Sequence, residues 1–307
     1  MTRIVELYKD GGLSEVIRGI TDFGYYRSIK VKDRLRRLPI QLRYRGKTIK
    51  RDVNGFQMYL DVSDGGIATD LALDGLREPV ATKAYEAQLR RLQKETNETP
   101  VIADVGANIG YTVLTAASAL DGQVHIYAAE PVPENIEKLR KNIELNGYEE
   151  VVTIDQLAID REVGQRILNL STHSNLHSFR TDDGTHLKKL ETDESIEVET
   201  VPLSEWIRTH DFEPSDINAL RMDVEGHEAD VLASGAEILR ADSPLILQIE
   251  FHKRLLEPDE VTYLINLLRD SEFEIQACAQ NKNQVKADSW EVLNEYTYLQ
   301  VVATKGF

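Results

Sequence analysis

The sequence has only one cysteine, Cys278, among its 307 residues. A lone thiol cannot form an intramolecular disulfide, which fits a reducing compartment. The sequence also lacks a run of eighteen apolar residues, so we expect no membrane-spanning helix. Its first residues contain no apolar core of the signal-peptide kind. From these absences we predict a cytoplasmic protein.

Positive charge is scarce outside the first sixty residues. The formal net charge is −16, yet residues 1–60 contain 14 Lys and Arg against 6 Asp and Glu. The remainder is therefore strongly acidic and would repel the phosphates of a nucleic acid, so we expect no nucleic-acid partner. We divide the chain into a basic N-terminal extension, residues 1–60, and a main domain, residues 61–307.

The basic extension allows two interpretations. Leu13 and Ile20 belong to an apolar pattern at helical spacing, and a cluster of basic residues follows them. The segment is either a small helical subdomain with a solvated basic face or an arm that associates weakly with an anionic membrane surface, a glycan or a partner subunit. Closer to the main domain, the alternation over residues 42–60 predicts strands with a hairpin turn at Asn54-Gly55.

The strongest structural signal lies in residues 101–117, V-I-A-D-V-G-A-N-I-G-Y-T-V-L-T-A-A. The apolar, β-branched run at its start predicts a buried strand, and an apolar pattern at helical offsets follows Gly110. Gly106 permits a tight turn between the two elements that a side chain would forbid. Asp104 stands near the carboxyl end of the strand, where ligands bind in open α/β sheets.

The spacing of the glycines in this turn separates classes of ligand. Dinucleotide-binding turns favour G-x-G-x-x-G, whereas this chain has G-A-N-I-G after an acid. An acid in that place favours a ligand with a positive charge and an amine, such as S-adenosylmethionine. The candidate cofactor contacts in the turn are Asp104, Gly106, Asn108 and Gly110. A nicotinamide-dependent oxidoreductase and a plain turn without a ligand are the alternatives.

A second acid follows at the spacing of a nucleoside site. The apolar strand that begins at His125 ends in Glu130. An acid about 20 residues beyond the glycine turn can accept hydrogen bonds from both ribose hydroxyls. Pro131, which follows Glu130, is included among the cofactor contacts. A third strand over residues 151–158 would place Ala158 beside the adenine.

Two further strands bring acids and an imidazole to the same edge of the sheet. The strands predicted within residues 219–224 and 244–252 deliver four candidate catalytic side chains: Asp223, Glu225, Glu250 and His252. Such groups can take a proton from a substrate, and His252 or a carboxylate could act as the general base. Alternatively, the three acids could hold a divalent cation. We favour the base and assign no metal ligands, because the acids do not form a recognised metal-binding loop. Asp223 is also a predicted cofactor contact.

The end of the chain predicts a closing antiparallel pair. Residues 258–272 have the pattern of an amphipathic helix, and residues 273–279 and 296–304 have the pattern of strands. Because only a short polar loop is predicted between these strands, we expect them to pair antiparallel.

Five motifs together resemble the FkbM family of S-adenosylmethionine-dependent methyltransferases. They are D-V-G-A-N-I-G at 104–110, A-E-P at 129–131, V-P-L-S-E-W at 201–206, R-M-D-V-E-G-H-E at 221–228 and P-L-I-L-Q-I-E at 244–250. The resemblance covers about residues 60–304. It implies the class I methyltransferase fold, an α/β, Rossmann-like architecture with a seven-stranded, mostly parallel sheet and an antiparallel last hairpin.

The resemblance also implies an activity and a partner. It implies O-methylation of a hydroxyl on a sugar, glycolipid or polyketide, so the expected partner is a small-molecule or glycan acceptor. A non-catalytic scaffold that keeps the fold and the cofactor is the alternative. The intact acids Asp223, Glu225 and Glu250 argue against the scaffold.

Overall fold

The structure is a computed structural model that describes residues 36–37, 39–40, 43–44, 47–63, 66–96, 98–171, 177–179 and 191–307. The helical pattern predicted around Leu13 and Ile20 lies outside these residues. Within the described ranges, no helix is both long enough and apolar enough to cross a membrane.

Strands and helices alternate along most of the chain. The strands with described bounds are β1 Thr48–Val53, β2 Phe56–Asp61, β3 Val101–Val105, β4 His125–Ala129, β5 Val152–Asp155, β6 Ala158–Ile159, β7 Gly164–Ser171, β8 Glu191–Val201, β9 Ala219–Met222, β10 Leu245–Phe251, β11 Glu274–Gln280, β12 Asn283–Val285 and β13 Leu299–Lys305. The α-helices with described bounds are α1 Ile67–Asp74, α2 Pro79–Glu95, α3 Tyr111–Ala119, α4 Pro133–Asn146, α5 Leu203–Arg208, α6 Glu228–Ser234, α7 Ala236–Arg240 and α8 Pro258–Asp270.

The main sheet has the strand order β12-β11-β13-β10-β9-β3-β4-β5. Strands β10, β9, β3, β4 and β5 pair in parallel, while β13 pairs antiparallel with both β10 and β11. This is the predicted class I architecture, an α/β fold with a mostly parallel sheet and an antiparallel end. The carboxyl ends of the parallel strands meet at one edge, which is where ligands bind in such sheets.

The sheet has eight strands in the described chain, where the sequence analysis expects seven. The additional strand, β12, pairs with β11 at the outer edge over three residues. The predicted short polar loop between the last two long strands is therefore wrong. That segment contains β12 and a 3-10 helix, Trp290–Asn294, whose Trp290 and Leu293 are buried. Its apolar residues are too few to show a helical period, so the sequence pattern does not reveal them.

The third parallel strand is shorter than predicted. Strand β5 stops at Asp155, and Ala158 belongs instead to β6, which pairs with β8 in a separate three-stranded sheet with β7. The neighbouring strand β4 ends at Ala129, and Pro131 beyond it has no amide hydrogen with which to extend the ladder. The chain after Asp155 is thus free to leave the main sheet.

The hairpin predicted at Asn54-Gly55 is confirmed, since β1 and β2 pair antiparallel around it. It packs on the main sheet through helix α4. Asn142 Oδ1 accepts a hydrogen bond of 2.7 Å from the Tyr59 amide, and Met58 is fully buried.

The domain boundary predicted after residue 60 falls inside strand β2, and the division into two domains stays a prediction.

The register of the parallel strands builds the site. Asp104 on β3 pairs with Arg221 on β9, and Met222 pairs with Ile249 on β10. One residue further along each strand, Asp223 and Glu250 therefore reach the same edge of the sheet. The sequence analysis predicts this convergence from strand ends alone.

Candidate functional site

The turn after β3 requires a glycine at position 106. Gly106 has a φ of +79°, and a Cβ added there would lie 2.1 Å from the backbone oxygen of Asp223. Its carbonyl accepts a 2.8 Å hydrogen bond from Nη1 of Arg221. The turn is thus packed directly against the end of β9. Gly110 has a different role, because its missing side chain makes room for Leu139 of α4.

A buried arginine joins the two strand-end acids. Nη1 of Arg221 lies 3.1 Å from Oδ1 of Asp104, and Nη2 lies 3.3 Å from Oδ2 of Asp223. Burial raises the pKa of Asp104, although Arg221 opposes that shift. Asp104 is only 2% exposed and faces this guanidinium. Its predicted contact with a cofactor amine stays a prediction.

A cavity of about 640 Å³, measured out to its mouth, opens at the carboxyl ends of β3 and β4. Six of the predicted cofactor contacts line it: Gly106, Asn108, Glu130, Pro131, Ala158 and Asp223. Residues 177–179, from the polar segment that follows β7, also line it.

Glu130 organises the wall of this cavity. Its Oε2 accepts a 2.8 Å hydrogen bond from the Asn108 amide, and its Oε1 accepts one of 3.0 Å from the Val132 amide. The side-chain amide of Asn135 donates a third, of 3.2 Å. Burial raises the pKa of Glu130 to about 7, although these hydrogen bonds oppose the shift. The carboxylate can therefore gain or lose a proton near neutral pH.

The four predicted catalytic side chains do come together. Nε2 of His252 lies 3.4 Å from Oε2 of Glu225 and 3.7 Å from Oε1 of Glu250. Asp223 and Glu225 line the main cavity, while Glu250 and His252 are 6% and 2% exposed. The cavity thus borders a buried group of acids around one imidazole. These four residues and Glu228, which contacts His252, are called the acid cluster below.

The backbone at Glu225 is held in an uncommon conformation. Glu225 has a φ of 43° and Gly226, next to it, a φ of 90°. A positive φ costs a non-glycine residue about 1–3 kcal/mol, and such residues concentrate at functional sites. Gly226 packs closely on Leu255, so this turn is fixed by its surroundings.

The sequence analysis did not identify Glu228 as part of the site. Its Oε1 lies 2.6 Å from Nδ1 of His252, and the residue is fully buried. Glu228 lies within the motif R-M-D-V-E-G-H-E, two residues after Gly226. Its position in that motif, three residues after Glu225, is the sequence feature that could have identified it as a site residue.

Charge in the acid cluster decides which groups can accept a proton. Burial alone would lower the pKa of His252, but the carboxylates of Glu225, Glu228 and Glu250 raise it to about 10. A protonated imidazole has no lone pair to offer, so His252 does not suit the role of general base in this arrangement. Burial raises the pKa of Glu225 to about 7, while Arg221 and Arg77 hold that of Asp223 low against the effect of burial.

A second, smaller cavity meets the first at Asp223. It is lined by Arg77, Glu78, Tyr111, Asn108 and Asp223, among others. Nη2 of Arg77 lies 3.6 Å from Oε2 of Glu250. Asn108 and Asp223 line both cavities. These two residues therefore separate the main cavity from the smaller one.

His227 is held apart from the acid cluster. Its Nε2 lies 3.1 Å from Asp160 and its Nδ1 lies 3.0 Å from Asp230. These carboxylates are also paired with Arg166 and Arg161. Both ring nitrogens face acceptors, which is the arrangement of a structural imidazolium.

Comparison with known proteins identifies the relatives of this chain. The model of the methyltransferase FkbM domain matches residues 104–275. The hexuronic acid methyltransferase AglP of Haloferax volcanii is 28% identical over 201 residues, which are 61% of this chain and 74% of AglP.

Solved structures that the comparison matches have low TM-scores and low identities. The methyltransferase FkbM of Methylobacillus flagellatus has a TM-score of 0.40 at 12% identity, over 66% of this chain and 43% of that one. The TYW2 protein of M. jannaschii, in complex with AdoMet, has a TM-score of 0.42 at 14% identity, over 84% of each chain.

Proposed function

Because the chain belongs to the FkbM methyltransferase family, whose model matches more than half of it, we propose that it methylates a hydroxyl of a sugar-like acceptor. As a member of that family, the chain is an S-adenosylmethionine-dependent methyltransferase. The nicotinamide and scaffold alternatives are set aside on this ground. One observation carries the proposed reaction: the cavity that suits a nucleoside meets a buried acid cluster at Asp223.

The residues present fit the cofactor. Glu130 on the cavity wall offers carboxylate oxygens suited to ribose hydroxyls, and Ala158 offers an apolar surface suited to adenine. Within the described chain, Oδ1 of Asp223 is buried and accepts no hydrogen bond. Asp223 lines both cavities, and this oxygen suits an amine or a hydroxyl. When bound, S-adenosylmethionine supplies the methyl group, which passes from sulfur to the acceptor oxygen.

The acid cluster provides the place for the acceptor and for its proton. A neutral alcohol is a poor nucleophile, so its proton must leave as the oxygen gains the methyl group. We assign that proton to a carboxylate of the cluster, because His252 is already protonated there. Asp223 and Glu225 line the cavity and hold the hydroxyl in position, and such positioning supplies much of the acceleration of a two-substrate reaction.

A sugar acceptor is the finer part of the proposal. AglP, which shares 28% identity with this chain, is named as a hexuronic acid methyltransferase. Polar groups dominate the acid cluster, and sugar hydroxyls can satisfy several of them at once. An alkyl alcohol could satisfy only one, so it would leave buried acids unpaired.

The direct test is transfer of a labelled methyl group. The purified chain is incubated with S-adenosylmethionine labelled in its methyl group and with separate hexuronic acid glycans, neutral glycans and long-chain alcohols. We expect label in a methyl ether of a glycan, located by mass spectrometry of the hydrolysed sugar. Label found only in the alcohols would contradict the sugar proposal, and absence of cofactor binding in calorimetry would contradict the whole assignment.

Cofactor affinity should rise with pH. Burial raises the pKa of Glu130 to about 7, and ribose hydroxyls that donate to this carboxylate favour its ionised form. Binding at pH 6 must therefore expel a proton that is already absent at pH 8. Because the proton on Glu130 competes with the cofactor, the association constant of the cofactor should be about tenfold larger at pH 8 than at pH 6. Calorimetric titrations at several pH values measure it.

The control for this pH dependence is Glu130→Gln, which keeps the shape of the side chain but cannot ionise. Its affinity for the cofactor should be lower at pH 8 and nearly independent of pH. If the variant shows the same slope as the unmodified chain, another group is responsible and Glu130 does not contact the ribose.

A further inference from the structure

We propose that the acid cluster binds one divalent cation through Asp223, Glu225 and His252, and that this cation holds the hydroxyls of the acceptor. The second half of this inference rests on the proposed function, while the cation site itself does not. Oxygen ligands from two carboxylates with one imidazole suit Mn²⁺ or Mg²⁺.

The three ligands already face one another. One ligand atom from each of Asp223, Glu225 and His252 lies within 4.8 Å of the other two. Groups at such distances need to move by only about an ångström or two to reach metal–ligand distances near 2.0–2.2 Å. Asp223 and His252 directly follow the adjacent strands β9 and β10, and Glu225 lies in the turn after β9 that Leu255 packs against.

The imidazole is oriented as metal-bound histidines usually are. Nδ1 of His252 lies 2.6 Å from Oε1 of the fully buried Glu228. A carboxylate that accepts the Nδ1 proton fixes the ring and directs Nε2 to the other side, which is the common arrangement behind a metal ligand. Nε2 faces Oε2 of Glu225 at 3.4 Å. Ligation requires Nε2 to give up its proton, which the cation displaces.

Unpartnered oxygens point to a missing ligand. Among the described residues, four carboxylate oxygens of the acid cluster are buried and make no hydrogen bond: Asp223 Oδ1, Glu225 Oε2, Glu228 Oε2 and Glu250 Oε2. Buried polar atoms in native proteins are nearly always satisfied, so each such atom needs an explanation. Glu225 Oε2 lies 3.4 Å from Nε2 of His252, and Glu250 Oε2 lies 3.6 Å from Nη2 of Arg77, so these two have ion-pair contacts without a hydrogen bond. Asp223 Oδ1 and Glu228 Oε2 form no ion pair with a positive group of the described chain. A cation among these oxygens would satisfy several at once.

The balance of charge agrees with a cation. Five acids are buried or nearly so around this edge of the sheet: Asp104, Asp223, Glu225, Glu228 and Glu250. The positive groups in contact with them are Arg77, Arg221 and, until a cation displaces its proton, His252. Removing unpaired carboxylates from water is expensive, and a divalent cation compensates two of them.

The neighbouring group of Asp160, His227 and Asp230 differs in how its carboxylates are neutralised. Both ring nitrogens of His227 face carboxylates, and those carboxylates are already paired with arginines. Its carboxylates are thus already neutralised by arginines, whereas Glu225 and Glu228 form no ion pair with an arginine of the described chain, so the proposal does not extend to it. Asp230 of this group is therefore a matched control, because it is also a partly buried acid beside a histidine.

The experiment titrates Mn²⁺ into the full chain after removal of metals with a chelator, and follows free Mn²⁺ by its paramagnetic resonance signal. We expect one saturable site per chain, from which Mg²⁺ displaces Mn²⁺. Asp223→Asn and Glu225→Gln should each weaken Mn²⁺ binding at least 30-fold, whereas Asp230→Asn should leave it within twofold. Circular dichroism establishes that each variant is folded.

The outcomes separate the cation from the proposed function. The cation site is overturned if the unmodified chain shows no saturable Mn²⁺ binding, or if Asp230→Asn weakens it as much as the cluster variants do. S-adenosylmethionine binding and labelled methyl transfer are measured on the same metal-free protein. Transfer at full rate without metal would overturn the acceptor role and leave the methyltransferase assignment intact. Loss of cofactor binding itself would count against the proposed function instead.

Discussion

Replacing Arg221 with methionine should destabilise the fold by about 3–5 kcal/mol, the range found when one partner of a buried ion pair is removed. The guanidinium lies between Asp104 and Asp223, and it also donates to the carbonyl of Gly106. Methionine fills much of the space but leaves Asp104, only 2% exposed, without its counterion. Urea denaturation followed by circular dichroism measures the loss.

The pH dependence of this loss identifies its cause. Burial raises the pKa of Asp104, and without Arg221 to oppose it the pKa rises further. The folded variant must then hold a proton that the unfolded chain releases above a pKa of about 4. The stability penalty should therefore grow as pH rises above about 4 and shrink in acid.

Two further variants control the interpretation. Asp104→Asn combined with Arg221→Met removes both charges, and it should be more stable than Arg221→Met alone at neutral pH. Arg208→Met removes an exposed arginine that pairs with Glu213 at 3.3 Å, and it should leave the urea midpoint nearly unchanged. If the double variant is no more stable than the single one, lost packing rather than an unpaired charge explains the result.

The sequence predicts which acidic residues reach the site better than it predicts which basic residues neutralise their charges. Strand ends follow from apolar runs, so the convergence of Asp223, Glu225, Glu250 and His252 could be inferred before any coordinates. The partners could not be inferred, because Arg77 comes from a segment more than 100 residues away. Arg221 stands in the quoted motif, but its position beside Asp104 depends on strand register, which the local pattern does not contain.

The third strand shows a second limit of the sequence. Residues 151–158 read as one parallel strand, yet the chain leaves the main sheet after Asp155. The side chain of Asp155 accepts a 2.8 Å hydrogen bond from the indole of Trp206, which comes from another part of the chain. Ala158 still lines the cavity, as predicted, although it does so from a different sheet. The prediction for Ala158 holds although its strand was assigned wrongly, because both sheets border the same cavity.

Replacing Asp223 with asparagine should reduce the rate of methyl transfer by roughly a hundred- to a thousandfold, within the range of a lost acid–base or positioning group. Asparagine keeps the size of the side chain and can still accept a hydrogen bond. It removes the negative charge at the junction of the two cavities, where Asp223 Oδ1 is buried without a partner in the described chain. Because Glu130 and the glycine turn are unchanged, cofactor affinity should fall by less than about fivefold.

Single-turnover kinetics with saturating S-adenosylmethionine separate these effects, and calorimetry gives the cofactor affinity. Asp270→Asn, at the end of α8 and away from both cavities, is the matched control and should transfer methyl groups at the unmodified rate. Arg221 loses one of its two carboxylate partners in Asp223→Asn, so the melting temperature is measured beside activity. A folded Asp223→Asn that retains a third or more of the rate would exclude Asp223 from the reaction. A large loss of cofactor affinity at an unchanged rate would make it a cofactor ligand alone.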